Sequence, residues 1–173
     1  MPFASQNFAN TFMHALYIAS VWLHIVAAAV WIGGMAFFSL VMVPMTKQLA
    51  LPAIVVQWAG VRFRWVGWIC LALMLLTGTV NLALRGIGWS DLWRSPLRET
   101  LGVKLLFVAA MLVVSALHDF IVGPRAGVLL QNDPTSVEAK RLRRMASWIG
   151  RINFLFALVA AALGVIFVRG PLW

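Results

Sequence analysis

The sequence predicts an all-α fold: an integral membrane four-helix bundle, one domain over residues 1–173, with both termini on the outer side. Three observations carry that expectation. Hydrophobic residues make up 62% of the chain and charged residues 11%, where a soluble domain of this length carries about a quarter charged. The charges gather in clusters that leave four apolar runs, at 15–45, 65–84, 101–122 and 148–168. About 20 residues at 1.5 Å rise cross a hydrocarbon layer of ~30 Å, so each run is long enough to span. Finally, Lys and Arg divide unevenly between the two sides. Lys47, Arg62, Arg64, Arg125, Lys140, Arg141, Arg143, Arg144 and Arg151 fall in or beside loops one and three. Arg85, Arg94, Arg98, Lys104 and Arg169 fall on the other side, so the positive-inside rule puts loops one and three in the cytoplasm.

Residues 1–14 carry no charge and lie along the outer interface or extend helix one. A secretory signal has a basic start and a short apolar core. No Lys or Arg precedes Lys47 and the apolar run is too long, so 15–45 reads as a retained first span. Loop one, around 46–64, takes in Pro44 at its edge and Pro52, and has room for an amphipathic cytoplasmic turn. Span two covers 65–84. Loop two, 85–99, holds Gly86, Gly88 and Pro96, with Trp89 and Trp93 dipping toward the headgroups. Gly123-Pro124 is expected to end helix three, because proline cannot continue the helix ladder. Asn132-Asp133-Pro134-Thr135-Ser136 reads as a turn with a helix N-cap, 137–145 as a short basic helix, and 148–168 as span four. Laying spans one and two on spans three and four gives no convincing repeat.

The net charge of +9 follows loop topology, so no nucleic-acid partner is implied; the partner that composition implies is the lipid bilayer. The 140–144 cluster reads as a solvated topology signal, with contact to anionic headgroups as its other use. Cys70 is the single cysteine, which excludes an intramolecular disulfide.

In lipid every polar side chain needs a reason to be present, so the candidates are few. In span one, His24, Trp31, Met35 and Met42 return to within ~20° of one direction on a 3.6-residue helix. Lys104, Met111 and His118 recur every seventh residue in span three, and Cys70, Met74 and Thr77 share a face of span two. Each stripe has a packing explanation as well: methionine is a flexible apolar filler, and Lys104 can snorkel to the interface. Gly33, Gly34 and Gly78 allow helices to approach closely, and Trp31 and Thr77 join them as packing residues. His24 is different, since a buried imidazole requires a partner or a task as ligand or proton carrier. Depth separates two metal chemistries. His118 lies ~20 Å below His24 at 1.5 Å per residue, which makes the two a poor axial pair for haem. Cu(I) is soft and accepts thioether, thiolate and imidazole. Met35, Met74 and Met111 fall near mid-membrane, with His24 above and His118 and Cys70 below, a ladder that suits copper. No catalytic residue is assigned.

At these residues the chain resembles a known family. The run Leu23-His24-Ile25-Val26-Ala27-Ala28-Ala29-Val30-Trp31-Ile32-Gly33-Gly34 resembles the first helix of the CopD copper-resistance family. Arg62-Phe63-Arg64 leading to Leu76-Thr77-Gly78 resembles a following helix. Leu101-Gly102-Val103-Lys104-Leu105 and Ala116-Leu117-His118-Asp119-Phe120 resemble its Lys-bearing helix and that helix's end. The resemblance implies a multi-pass protein of the bacterial inner (plasma) membrane, with outer termini in the periplasm, that handles a copper ion in copper homeostasis. With four spans and no methionine-rich periplasmic segment, it also implies help from a homo-oligomer or a periplasmic copper-binding partner. His24 would capture the ion, Met35, Met74 and Met111 would pass it on, and His118 would serve the cytoplasmic end, with Lys104 and Arg64 bounding the path. The plan of a histidine in helix one and a lysine in helix three is also similar to the HemJ-type protoporphyrinogen oxidases. That similarity implies instead a haem b on His24, with Lys104 or Arg64 near its propionates. A third reading is a non-catalytic accessory subunit whose stripes are packing seams only.

Overall fold

The computed structural model describes residues 2–50, 52–91, 96–133 and 136–170. Trp93, Arg94, Pro134 and Thr135, and the side chains of Lys47, Trp89 and Arg98, lie outside that description. The described residues form helices and turns, with no strand among them. In chain order the helices are α1 (Pro2–Phe37), α2 (Val43–Gln48), α3 (Ala53–Leu84), α4 (Pro96–Leu117), α5 (Gly123–Asn132) and α6 (Val137–Arg169). A π-helical turn, Phe38–Met42, joins α1 to α2, and a second, His118–Val122, joins α4 to α5. Four rods result that are long and apolar enough to cross a membrane: Asn10–Thr46, Ile54–Leu84, Glu99–Asn132 and Val137–Arg169. Their outward faces carry large apolar side chains such as Trp22, Leu40, Trp65 and Val165, as lipid contact requires.

The rods are longer than the apolar runs, and three expectations change as a result. The first is loop one: α3 already begins at Ala53, so most of 46–64 is helix and not loop. Gly123-Pro124 does not end helix three; the rod continues through α5 to Asn132. The π turn explains how. Gly123 N–H reaches back to the His118 carbonyl, and Val43 N–H to that of Phe38, so the ladder is already widened where Pro124 and Pro44 follow. The missing proline N–H and the bulk of its ring then fall where no ordinary i→i−4 bond is needed. Likewise 137–145 is not a separate basic helix but the start of one continuous α6, capped where Ser136 Oγ accepts from Ala139 N–H at 3.1 Å. At the opposite ends, Gly86 (φ +66°) closes α3 and Gly170 (φ +88°) closes α6, both in the left-handed region that favours glycine.

Two antiparallel hairpins make up the fold. α1 lies along α3, α4 along α6, and the hairpins meet through α1 with α6 and through α3 with the end of α4. The hairpins are built alike, although the sequence shows no convincing repeat. Each π turn is followed two residues later by a proline, Pro44 or Pro124. The interval that carries Phe38 onto His118 carries His24 onto Lys104, Trp31 onto Met111 and Met35 onto Ser115. In the second helices, Trp65-Val66-Gly67-Trp68-Ile69 of α3 matches Trp148-Ile149-Gly150-Arg151-Ile152 of α6, which brings Cys70 onto Asn153 and Thr77 onto Ala160. Trp31, Met111, Cys70, Asn153, Thr77 and Ala160 are all buried, so the equivalence holds in packing. α1 and α4 point the same way, so the repeat is parallel rather than inverted.

Close approach falls on specific glycines. A β-carbon at Gly34 would run into the Phe63 ring, which packs on Phe38 with centroids 5.3 Å apart. Gly33, expected to share this role, faces outward with nothing within 4 Å of a β-carbon. It lies ~100° further round α1, which turns it off the seam. Gly34→Ala is therefore expected to lower the unfolding free energy of the detergent-solubilised protein by about 1–3 kcal/mol. Gly33→Ala is expected to change it by less than about 0.5 kcal/mol; equal unfolding midpoints would contradict the seam.

Candidate functional site

Polar side chains enter the interior at three levels, spaced along the rods from the end that holds loop two to the basic end that holds Arg125 and Arg141.

At the first level, α1 sends His24 across to α3. Its Nδ1 lies 2.8 Å from Thr77 Oγ1. The Thr77 hydroxyl has one proton, and it donates that proton to the Leu73 carbonyl at 2.6 Å. Toward the imidazole Thr77 therefore accepts, which assigns the ring proton to Nδ1 and leaves the Nε2 lone pair free. Ser20, one turn before His24, donates to the Thr77 carbonyl at 3.3 Å, so two residues of α1 grip one of α3. The ring lies over Gly78, where a β-carbon would stand 3.5 Å from His24 Cε1. Lys104, the repeat counterpart of His24, lies within electrostatic reach of the ring. Its chain crosses to α6, with Nζ 3.1 Å from where a Gly164 β-carbon would sit.

The second level is the core. Ala27, Trp31, Cys70, Leu71, Met111 and Ala157 form one buried cluster, and Met35 and Met74 pack against it. Trp31 lies against Gly67, whose missing side chain gives the indole its place. The three methionines singled out from the sequence thus belong to one cluster. Met35 Sδ accepts a long contact, 3.9 Å, from Asn153 Nδ2, which also donates to Ser115 Oγ at 2.8 Å. Asn153 Oδ1 is buried and has no partner among the described residues. Asn153 touches both Met35 and its counterpart Ser115, so it stands where the two hairpins join.

The third level is the π turn of the second hairpin. Asp119 there accepts from His118 Nδ1 at 2.8 Å and from Trp68 Nε1 at 3.0 Å. A carboxylate on Nδ1 orients an imidazole and leaves Nε2 outward, the arrangement common behind metal-bound histidines. The His118 side chain is 35% exposed. Arg64 lies beside the same turn, its Nη2 3.7 Å from a β-carbon placed at Gly123, and its Nε is buried without a partner among the described residues. This fixes Arg64 at the far end of the interior from His24. It cannot reach the propionates of a haem held by His24, and of the two basic residues considered for that contact only Lys104 shares the level.

Among the described residues no group of three or more His, Cys, Asp and Glu side chains comes together to hold a metal. A metal between the hairpins would have to draw on imidazole and thioether in combination. By sequence Thr77 is a packing residue, and Ser20 and Ser115 carry no assignment. The spacing of Ser20 and His24, one helical turn, was the available signal.

Residues 59–168 match the family described as Copper resistance protein D. A protein of Aquifex aeolicus (strain VF5), described as uncharacterized, is 32% identical over 158 residues, covering 89% of this chain and 94% of that one. No solved structure matches.

Thr77→Val keeps the shape and removes the acceptor, and is expected to cost about 1–2 kcal/mol of stability in detergent. Thr79→Val removes a hydroxyl bonded only within its own helix and is expected to change stability by less than about 0.5 kcal/mol. Equal effects in denaturation curves would show that His24 takes nothing from Thr77.

Proposed function

The chain belongs to the Copper resistance protein D family, and from that premise we propose that it binds Cu(I) between its two hairpins and helps the ion across the membrane. The observation that carries this reading is the free Nε2 of His24, fixed by Thr77 in the same interior as Met35, Met74 and Met111. Thioether and imidazole together make a soft ligand set, and Cu(I) is the biological cation that such a set selects. The ion is cargo here, so the ligands need to hold it briefly.

The positive-inside rule assigns the basic end to the cytoplasm and both termini to the periplasm of a bacterial inner membrane. His24 then receives the ion in the outer third, the thioethers carry it through the core, and His118, oriented by Asp119, offers Nε2 at the inner end. Trp31 and Leu71 keep the middle closed to water, which suits a ligand-to-ligand transfer better than a hydrated pore. Lys104 at the level of His24 opposes a cation and shortens its stay, as passage requires sites that also release. A homo-oligomer or a periplasmic copper-binding partner delivers the ion to that level.

A second reading, haem b on His24, draws on the same lysine. An ammonium at the ring's level favours a group with carboxylates, and Lys104 would face the propionates. His118, ~20 Å lower, stays out of such a site.

Purified protein separates the two. In competition with a Cu(I) chelator, the wild type is expected to bind copper, and His24→Ala to lose at least about tenfold in affinity, or ~1.4 kcal/mol. A Soret band in the purified protein, lost in His24→Ala, would overturn copper in favour of haem. Copper binding unchanged by His24→Ala, without a Soret band, would leave the accessory reading.

A further inference from the structure

The most basic part of the chain encloses a groove that the copper reading does not use. α5 packs against α6. Between them lies a groove of about 620 Å³ lined by Pro124, Arg125, Val128, Leu129, Glu138, Arg141, Leu142 and Met145. The lining is of two kinds. Val128, Leu129, Leu142 and Met145 form an apolar wall, while Arg125 and Arg141 bring one guanidinium from each helix. Among the described residues, neither guanidinium is paired with Glu138 or with any other acid. Lys140, Arg143 and Arg144 of α6 are exposed and do not line the groove.

Depth limits what can enter. The third rod, Glu99–Asn132, has 34 residues, about 51 Å at 1.5 Å per residue, against a hydrocarbon layer of ~30 Å. That leaves about 21 Å of rod outside the hydrocarbon. α5, which carries Arg125, Gln131 and Asn132, is an end whose composition suits headgroup level, with the groove beside it. A site at that depth meets molecules with a charged head and an apolar tail. Two forked guanidiniums suit a phosphate diester, which each can bind through two N–H donors. The apolar wall suits the first methylenes of an acyl chain.

We infer that the α5–α6 groove is a binding site for an anionic phospholipid, with Arg125 and Arg141 on the phosphate and Val128, Leu129, Leu142 and Met145 along the chain. The site is independent of copper: it lies outside the buried cluster and shares no residue with it. It gives part of the basic loop a task beyond topology, since Arg125 and Arg141 line a cavity while Arg143 and Arg144 do not. The bound lipid would add to the packing that already holds α5 against α6 at this end.

The test is native mass spectrometry of the full chain released from detergent after incubation with phosphatidylglycerol or phosphatidylcholine at equal concentration. The wild type is expected to retain phosphatidylglycerol at least about tenfold over phosphatidylcholine. Arg125→Gln with Arg141→Gln is expected to abolish that preference. Arg143→Gln with Arg144→Gln, which removes the same charge outside the groove, is expected to keep it within about twofold. Val128→Asp, at an exposed position of the wall, is expected to lower retention as the double arginine variant does, and it separates loss of the site from loss of fold. Equal loss in the two arginine pairs would overturn the proposal, because charge alone would then account for binding. Displacement of the lipid by inorganic phosphate at the same concentration would also overturn it, in favour of a plain phosphate site. Retention in Val128→Asp equal to wild type would overturn the role of the wall.

Discussion

The hydrogen bond between His24 and Thr77 is the constraint on which the rest of the interior depends. In water an imidazole finds partners anywhere; in hydrocarbon an unsatisfied polar group costs several kcal/mol. The bond itself contributes modestly, about 0.6–2 kcal/mol by analogy with other interhelical bonds in lipid. Its larger effect is to exclude alternatives. A slip of α1 by one residue would turn the ring ~100° toward the acyl chains. With the register fixed, the other close approaches between α1 and α3 follow in antiparallel order: the ring over Gly78, the indole against Gly67, and Phe63 in the space left at Gly34. The same bond also sets the tautomer, and with it the nitrogen left for a ligand.

The second hairpin keeps the geometry of the first and changes its chemistry. Lys104 replaces His24 and crosses to Gly164 much as His24 crosses to Gly78. Met111 replaces Trp31 in the core, and Asn153 replaces Cys70. Each exchange preserves burial while altering charge, softness or hydrogen bonding, so the halves are alike in shape and unlike in what they bind. A parallel repeat places equivalent residues at equal depth on opposite sides of the interior. This brings Lys104 within electrostatic reach of His24, and it lets Asn153 touch both Met35 and Ser115. Of the two halves, the first holds His24 and, at Met35 and Met74, two of the three core thioethers; the second adds Met111, along with the lysine and the inner histidine.

Much of this was legible in the sequence, for reasons that also mark where reading fails. Four spans follow from hydropathy, which lipid enforces residue by residue. The inward direction of His24, Trp31 and Met35 follows from the helical period, which holds as long as the helix is regular. That regularity is interrupted at the π turn Phe38–Met42, where the ladder widens. The second π turn, His118–Val122, hides the true end of helix three, because a proline is a reliable stop only in an unwidened ladder. The repeat was illegible because His24 to Lys104, Trp31 to Met111 and Cys70 to Asn153 are exchanges that residue similarity does not recognise. The role of Thr77 was out of reach for a simpler reason: a threonine facing inward looks the same whether it packs or accepts a proton's bond from another helix.

The most direct measurement is a nitrogen NMR spectrum of the protein in lipid bilayers, with isotope-labelled histidine assigned through His14→Gln and His118→Gln variants. His24 is expected to show a protonated, hydrogen-bonded Nδ1 and an unprotonated Nε2, with the Nδ1 signal moving when Thr77 becomes valine and unaffected by spin-labelled acyl chains. A His24 signal indifferent to the change at Thr77 and broadened by those chains would put the ring in the lipid, and would contradict the interior described above.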